Sequence, residues 1–583
     1  MSSKVPSQSE TYDAAVQALL SPLHQATTPE TLRAAAARRT NTLQDMHTYL
    51  HRIGLDVNNN PNRVPKIIFH ITGTKGKGST LAFCESILRN GYGLNTGMFT
   101  SPHLVCIRER IRMNGLPISE EAFAKVYWAI RNRLESHNDS DDAPSSSENE
   151  LPPLPVLPGY FRMLTLMAIY TFCYCKSPKI DAMLLEVGMG GRYDCTNLFE
   201  PSVHKLIRGV TLIDYDHMRV LGSTLEQIAW EKGGIFCSNK LSTIGRCDGG
   251  YDAFLNQFEQ SSDVEIGQER SIKQATVFAS GNNTHEVLGI LQYIANNDAQ
   301  LSHLQVVVES CLDVHTNIGL KGQHQRSNAA LALIMCQHAM DASPSLEKLQ
   351  TALGQTFWPG RCHTVSLPTI KNETIGPEVS VTLRCDGAHT PISISACIDW
   401  FRSVASNQET IHRALVFNCS HERNPLPLLY SLHASHLFDS VYFCHADFER
   451  PSMLKKKLEE QWYTQDITDN HITFRDMSNL VGAAKCDAPT WQKTLANVWK
   501  VFNAYERHIN PDSMRVDERI VFGSTVKAAL NTIRNDVSVQ RETAGKHNIE
   551  ICVTGSLYIV GSALEAAGWQ EQFATFELDE DIT

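Results

Sequence analysis

No CxxC pair and no His/Cys cluster at zinc spacing occurs in this chain, although 16 of its 583 residues are cysteine. Thiols scattered singly argue against a disulfide scaffold and for reduced cysteines in a cytosolic setting. The first 32 residues hold no arginine and no apolar core of a signal peptide. Neither a secretory signal nor an Arg-rich transit peptide is therefore expected, which leaves open a longer start that encodes one. Long hydrophobic runs are also missing. The longest uncharged apolar stretch, Met163 to Cys175, is shorter than the ~20 residues of a membrane helix and reads as a buried helix. A basic excess is absent too: 52 Lys and Arg stand against 63 Asp and Glu, a net charge of −11. A dedicated nucleic-acid binder is thereby disfavoured.

What is present is ordinary globular composition, 42% hydrophobic and 20% charged, and at roughly 100–200 residues per domain the length predicts two to four domains. Short apolar runs alternate with amphipathic stretches, the pattern of βα units on a mostly parallel sheet. Predicted strands are Lys66–Thr72, Ala182–Val187, Val379–Cys385, Ala414–Asn418, Ser440–Cys444 and Ile549–Thr554. The acidic, Ser/Pro-rich stretch 138–155 reads as an exposed disordered insert. Residues 239–302 are weakly patterned. Pro359 and Gly360 break a helical pattern where a fresh series of strands begins. The chain is accordingly divided into an N-terminal domain, 1–358, and a C-terminal domain, 359–583.

The first βα unit carries the chemistry. The strand Lys66–Thr72 runs into GTKGKGS (Gly73 to Ser79), and the helical spacing of Leu81, Phe83, Ile87 and Leu88 follows. Strand, glycine-rich loop and helix N-terminus can surround phosphate oxygens with backbone N–H groups, and Lys77 adds a positive charge. Ser79 and Thr80 are predicted to open the helix and offer hydroxyls to magnesium or phosphate. The string is not a Walker A motif, because that pattern needs glycine where Ile71 stands and Ser or Thr where Gly78 stands. A glycine turn alone could be a mere connection.

Neighbouring strings narrow the reading. GTKGKGS, SPHLVCIRERIRMNGLPIS (from Ser101), EVGMGGRYDCTN (from Glu186), GSTLEQIAWEKGGIF (from Gly222), GQHQRSNAALAL (from Gly322), WPGR (from Trp358), CDGAHTP (from Cys385) and VTGSLYIVG (from Val553) together resemble the eukaryotic type of folylpolyglutamate synthase, within the Mur-ligase superfamily. The order matches over most of the chain. The resemblance implies a P-loop-type ATPase domain and a smaller C-terminal α/β domain, with ATP bound between them. It implies an ADP-forming carbon–nitrogen ligase that adds L-glutamate to the γ-carboxylate of a reduced folate through an acyl phosphate. The implied partners are ATP, L-glutamate and folate in a cytoplasmic monomer, with a mitochondrial form open, and no nucleic acid or membrane insertion.

The same resemblance assigns roles. Gly73, Thr74, Gly76, Lys77, Gly78, Ser79 and Thr80 would bind nucleotide, joined by Asn328, Arg361 and Asp386. Ser101, Glu186 and His217 would ligate Mg2+, with a second magnesium and a monovalent ion such as K+ as further candidates. Glu186 also has a placement argument, since it ends a predicted strand before a glycine turn, at the carboxyl edge where open α/β sheets bind ligands. Histidine is an uncommon magnesium ligand, so His217 rests on the resemblance alone. Lys77, Lys232 and His389 would be the catalytic side chains. Read by itself, Lys232 is a solvated helix lysine; by resemblance it is carbamylated and carries a second magnesium. Arg361 suits a bidentate grip on phosphate. Asp386 and His389 of DGAH would meet nucleotide and glutamate, although a DGxH turn by itself is only a polar loop.

Two blocks depart from the family pattern. Asp214 and Met218 replace Gly and Thr beside His217, and in FNCSHERNP His421 replaces Gly while Glu422 and Asn424 replace two aspartates. Loops of this kind choose substrates, so the acceptor is the open question. The alternatives are the same chemistry on dihydropteroate or another carboxylic acid, or a non-catalytic paralogue that binds nucleotide or folate. Retention of Lys77, Glu186, His217, Lys232 and Asp386 argues against the last.

Overall fold

The computed structural model describes residues 11–25, 38–137, 154–236, 251, 276–297, 302–370, 379–405, 411–420, 423–446, 490–509, 519–534 and 548–579. The predicted insert at 138–155 lies outside them except for its last two residues, and so do His421 and Glu422. The chain forms two compact units. The first comprises Met1–Gly319, His324–Phe357 and Glu571–Thr583; the second comprises Leu320–Gln323 and Trp358–Gln570.

The first unit is built on strands β1 (Ile67–Thr72), β2 (Thr96–Phe99), β3 (Ile111–Met113), β4 (Leu116–Pro117), β5 (Cys175–Ser177), β6 (Ala182–Glu186), β7 (Lys205–Val210), β8 (Thr276–Ser280) and β9 (His303–Val307). Eight of them form one sheet in the order β4-β3-β2-β6-β1-β7-β8-β9. It is parallel from β2 to β9, with β3 and β4 added antiparallel at one edge. The largely apolar runs of β1 and β6 follow from burial on both faces; the polar exception inside β1, His70, is buried with its Nε2 2.8 Å from Thr196 Oγ1. The strand order reverses around β1, because the chain lays β2 and β6 on one side of it and β7 to β9 on the other. Such switch points open a crevice at the carboxyl ends of the strands. The expected buried helix is present as Tyr160–Cys173. It stops short of Cys175, which starts β5 and pairs with the strand Glu577–Leu578 from the end of the chain. The weakly patterned region contains β8 and the helix His285–Asn297, which buries Val287, Ile290, Leu291 and Ile294 against the helix Leu225–Gly233.

The second unit holds β10 (His363–Ile370), β11 (Val379–Cys385), β12 (Ile411–Phe417), β13 (Ser440–His445), β14 (Arg519–Thr525) and β15 (Asn548–Thr554) in the order β10-β11-β15-β12-β13-β14. Only β10 runs antiparallel to its neighbour among these described strands. Its core joins Phe401, Leu415, Phe417, Leu429 and Trp499 beneath the helices Pro391–Val404, Pro425–Ala434 and Trp491–Ile509. Both units are therefore α/β with mostly parallel sheets. Among the described residues no helix is long and apolar enough to cross a membrane.

Candidate functional site

The loop after β1 can be built only with glycine at two points. Gly73 has φ +146°, and a Cβ there would lie 1.8 Å from Thr211 Oγ1; Gly76 has φ +88°, and a Cβ there would lie 2.3 Å from Asn328 Oδ1. Both features exclude other residues. Between them the Thr74 and Lys75 amides donate to Leu212 O at 2.8 and 3.1 Å. Thr74 Oγ1 donates to Asp214 O at 2.9 Å and accepts from the Asp214 amide at 3.0 Å. These bonds tie the loop to the segment after β7. The following helix starts at Lys77 rather than at Ser79, and Gly76, its N-cap, brings no side-chain cap. Its first-turn amides and the positive end of its dipole thus lack the usual carboxylate or hydroxyl partner. Thr80 Oγ1 is buried without a hydrogen-bond partner. An orphaned buried hydroxyl is expensive, and a ligand at the helix end would relieve it.

Three sequence-predicted residues from other elements, Asn328, Glu186 and Lys232, converge on this loop. Asn328, on the helix His324–Ala339, lies against Gly76 and donates from Nδ2 to Gln325 Oε1 at 2.9 Å. Glu186 ends β6 and is 4% exposed. Its Oε1 lies 3.9 Å from Lys77 Nζ, and its Oε2 accepts the Ser101 amide at 3.0 Å. Lys232, predicted from its helix alone to be solvated, is instead 4% exposed, and its Nζ donates to Gly73 O at 2.8 Å. Burial, reinforced by the positive charge of Lys77, brings its pKa from 10.5 down to about 7. Ser79 is buried on the Lys77–Ser86 helix. His217 is placed differently. It has φ 51° at the start of the helical turn Met218–Leu221, its side chain is 53% exposed, and its Nε2 lies 4.0 Å from an Asp216 oxygen.

Reading along the chain missed residues that hold these elements. Buried Asp194 accepts the amides of Gly188, Met189 and Thr196 at 3.1, 3.2 and 3.0 Å, which fixes the glycine turn after Glu186. Thr72 Oγ1 donates to Gly190 O across the same turn. Asn283 accepts the Ile213 amide at 2.8 Å and donates to Thr211 O at 3.1 Å. The EVGMGGRYD string carried the first signal; Asn283 lies in the weakly patterned region and offered none.

In the second unit Arg361, Asp386 and His389 share one loop cluster at the carboxyl ends of β11 and β15. Asp386 accepts the amides of Cys362 at 2.8 Å and Ala388 at 3.0 Å, and the Cys362 thiol lies 3.5 Å from the same carboxylate. Cys362 itself has φ 45°. Burial first, then the Asp386 charge, pushes its thiol far up, so it remains a protonated donor. His389 Nδ1 lies 2.7 Å from Gly387 O. A Cβ at Gly387 would lie 2.5 Å from an Arg361 guanidinium nitrogen, and that nitrogen is buried without a partner. An unpaired buried guanidinium donor suits an anionic ligand.

Among the described residues no group of three or more His, Cys, Asp or Glu side chains forms a ready-made metal cage. Near the glycine loop the oxygen donors include the buried Glu186 carboxylate and the unpartnered Thr80 hydroxyl on the adjoining helix, a hard-oxygen pair of the kind that suits a divalent cation.

No family model matches the sequence. Curated proteins do match it. The chain is 32% identical to human mitochondrial folylpolyglutamate synthase, covering 90% of this chain and 86% of that protein. It is 37% identical to the bovine mitochondrial enzyme of the same name, covering 69% of this chain and 62% of that protein. Among solved structures, Mycobacterium tuberculosis folylpolyglutamate synthase complexed with ADP and AMPPCP has a TM-score of 0.58 at 20% identity, covering 91% of this chain and 96% of that one. The bifunctional folylpolyglutamate/dihydrofolate synthase of Yersinia pestis, complexed with AMPPNP and Mn, has a TM-score of 0.56 at 17% identity, covering 97% of this chain and 100% of that one. A glycine loop gripped by Asn328 and Lys232, with Glu186 facing Lys77, thus accompanies 32% identity over most of both chains: this protein belongs to the folylpolyglutamate synthase family.

Proposed function

We propose that this chain is an ATP-dependent ligase that joins L-glutamate to the γ-carboxylate of tetrahydrofolate and its glutamylated forms. The observation that carries the reading is the convergence of Lys232, Glu186 and Asn328 on the glycine loop that holds Lys77, in a chain whose relatives bear that enzyme's name. In the reaction, a folate carboxylate oxygen attacks the γ-phosphorus of ATP and the β–γ bridging bond breaks. ADP and an acyl phosphate form. The neutral amine of glutamate then attacks the acyl carbon, the C–O bond to phosphate breaks, and the nitrogen loses a proton, leaving an amide and inorganic phosphate.

The loop amides and Lys77 would bind and orient the phosphates, offsetting charge that spreads over the transferring group. Glu186, with Thr80 or Ser101, would hold Mg2+, which when bound neutralises phosphate charge during transfer. His217 and K+ complete the ion set on the family resemblance. Lys232, with its lowered pKa, would enter catalysis as the family's carbamylated ligand to a second magnesium. Arg361 and Asp386 would contact nucleotide, and His389 the glutamate side. Gly73, Thr74, Gly76, Gly78 and Ser79 would form the remaining phosphate contacts. We place the enzyme as a monomer in the cytosol with a mitochondrial form, in line with the mitochondrial relatives, and as an N-terminal domain 1–358 with a C-terminal domain 359–583.

One observation favours a second acceptor: Tyr215 and Met218 beside His217 are 50% and 45% exposed, where the family pattern has a small residue in place of Met218. The test is ATP-dependent incorporation of labelled L-glutamate with tetrahydrofolate, dihydropteroate or no acceptor, read by product mass. Successive glutamyl additions to tetrahydrofolate are expected. Product only from dihydropteroate would move the acceptor, and absence of any product from folded, ATP-binding protein would reject the ligase.

A further inference from the structure

An arginine upstream of every motif block reaches three of them at once. Arg39 donates from one guanidinium nitrogen to Val220 O at 3.2 Å and from the other to Glu231 Oε1 at 2.8 Å. Its guanidinium carbon also lies 5.7 Å from the centroid of the Tyr193 ring. Val220 is in the helical turn that begins after His217, Glu231 precedes Lys232, and Tyr193 belongs to the glycine turn after Glu186. Glu231 is nearly buried, with a side chain 9% exposed, and burial raises its pKa while Arg39 opposes that shift.

The arginine is itself held in place. Its carbonyl accepts from Thr42 Oγ1 at 2.7 Å, and Thr42 Oγ1 in turn accepts from Arg162 at 3.0 Å. Arg162 and Arg38 both bind the buried Asp45 carboxylate, Arg162 at 2.9 Å. A planar fork fixed at its base and bonded at both arms sets the relative position of what it bonds, whereas a single-point cation would not.

We propose that Arg39 is a positioning residue of the nucleotide–metal site: by bridging Val220 and Glu231 across Tyr193 it holds the His217 turn and the Lys232 helix in register with the Glu186 turn. The inference rests on the ligase reading for its purpose, but not for its test. Arg39 touches no reacting atom; it acts through the segments that do. Because its side chain is 38% exposed, its removal leaves no cavity, and the fold should survive.

Full-length protein is compared with Arg39→Ala and Arg39→Lys in three measurements: Mn2+ titration in the presence of AMPPNP, kcat and KM for ATP, and the thermal midpoint. Partners that orient metal ligands typically matter by about 10–100-fold in metal affinity. Arg39→Ala is expected to weaken Mn2+ binding about tenfold with a midpoint within about 2 °C of wild type. Arg39→Lys, which keeps the charge toward Glu231 but loses the second arm, should recover part of the loss. Unchanged Mn2+ affinity in Arg39→Ala overturns the proposal. So does a loss that tracks a fall in midpoint and is not relieved by lysine, which would mark a purely structural ion pair. Failure of the wild type to glutamylate tetrahydrofolate would reject the acceptor assignment only, since the Mn2+ titration needs no acceptor.

Discussion

Lys232 Nζ donates to the carbonyl of Gly73 at 2.8 Å. A lysine from a helix 159 residues downstream thus anchors the first residue of the phosphate loop, in surroundings dry enough to bring its pKa to about 7.

That shift makes stability depend on pH in a stated direction. Below pH 7 both folded and unfolded chains carry the Lys232 proton, and the folded chain bears the whole desolvation penalty. Between pH 7 and 10.5 the unfolded chain holds a proton that the folded one has released, so the penalty is relieved as pH rises, by at most about 1.4 kcal/mol per pH unit. Lys232→Met should therefore raise the thermal midpoint of nucleotide-free protein more at pH 6 than at pH 9.5. Equal shifts at the two pH values would mean that the amine is not depressed by burial.

Lys77 is partly exposed and contributes little packing. Lys77→Met should lower ATP-dependent turnover by at least about a hundredfold, the scale of losing a preorganised charge at a reacting centre. The thermal midpoint should stay within about 2 °C. Steady-state kinetics and a melting curve check both, and turnover near the wild-type rate would remove Lys77 from the phosphate site.

Glu186→Gln keeps the shape at the end of β6 and its contact with the Ser101 amide but loses the charge opposite Lys77. The expected result is a rise of about tenfold or more in the Mg2+ concentration needed for half-maximal turnover. A metal dependence identical to wild type would show that the carboxylate faces Lys77 for structural reasons alone.

Asp386 accepts amides from both Cys362 and Ala388. Asp386→Asn replaces one accepting oxygen with a donor, and leaving a buried N–H unmatched costs about 1–3 kcal/mol. Hydrogen exchange should accelerate at the amides of Cys362 and Ala388 while the amides of β12 and β13 stay protected. Unaltered exchange at the two loop amides would show that the carboxylate does not organise the loop.

Much of this protein can be read from local pattern, because a strand buried on both faces must be apolar and a loop wrapped round an anion needs glycine. β1, β6, β11, β12, β13 and β15 were all legible as apolar runs with errors of a few residues at their ends, and Gly73 and Gly76 announced the loop between strand and helix. β7 was not, because its Lys205 and Arg208 mask a strand inside the sheet; Arg208 is buried and donates to the Phe236 carbonyl at 2.6 Å. β8 was hidden by the polar sequence around it.

The sequence by itself determined the fold class and the chemistry-bearing loop, since each depends on residue type at short spacing, and its ordered motif strings carried the resemblance to the family. Tertiary structure alone decided that Lys232 is buried rather than solvated, that Asn328 closes on Gly76, that His217 stays more than half exposed, and that Arg39 spans three distant segments. Periodicity reports which face of one element is apolar. Solvation, charge proximity and hydrogen bonding at a site are set by which elements the sheet order brings side by side, and that order is not written in any single stretch of the chain.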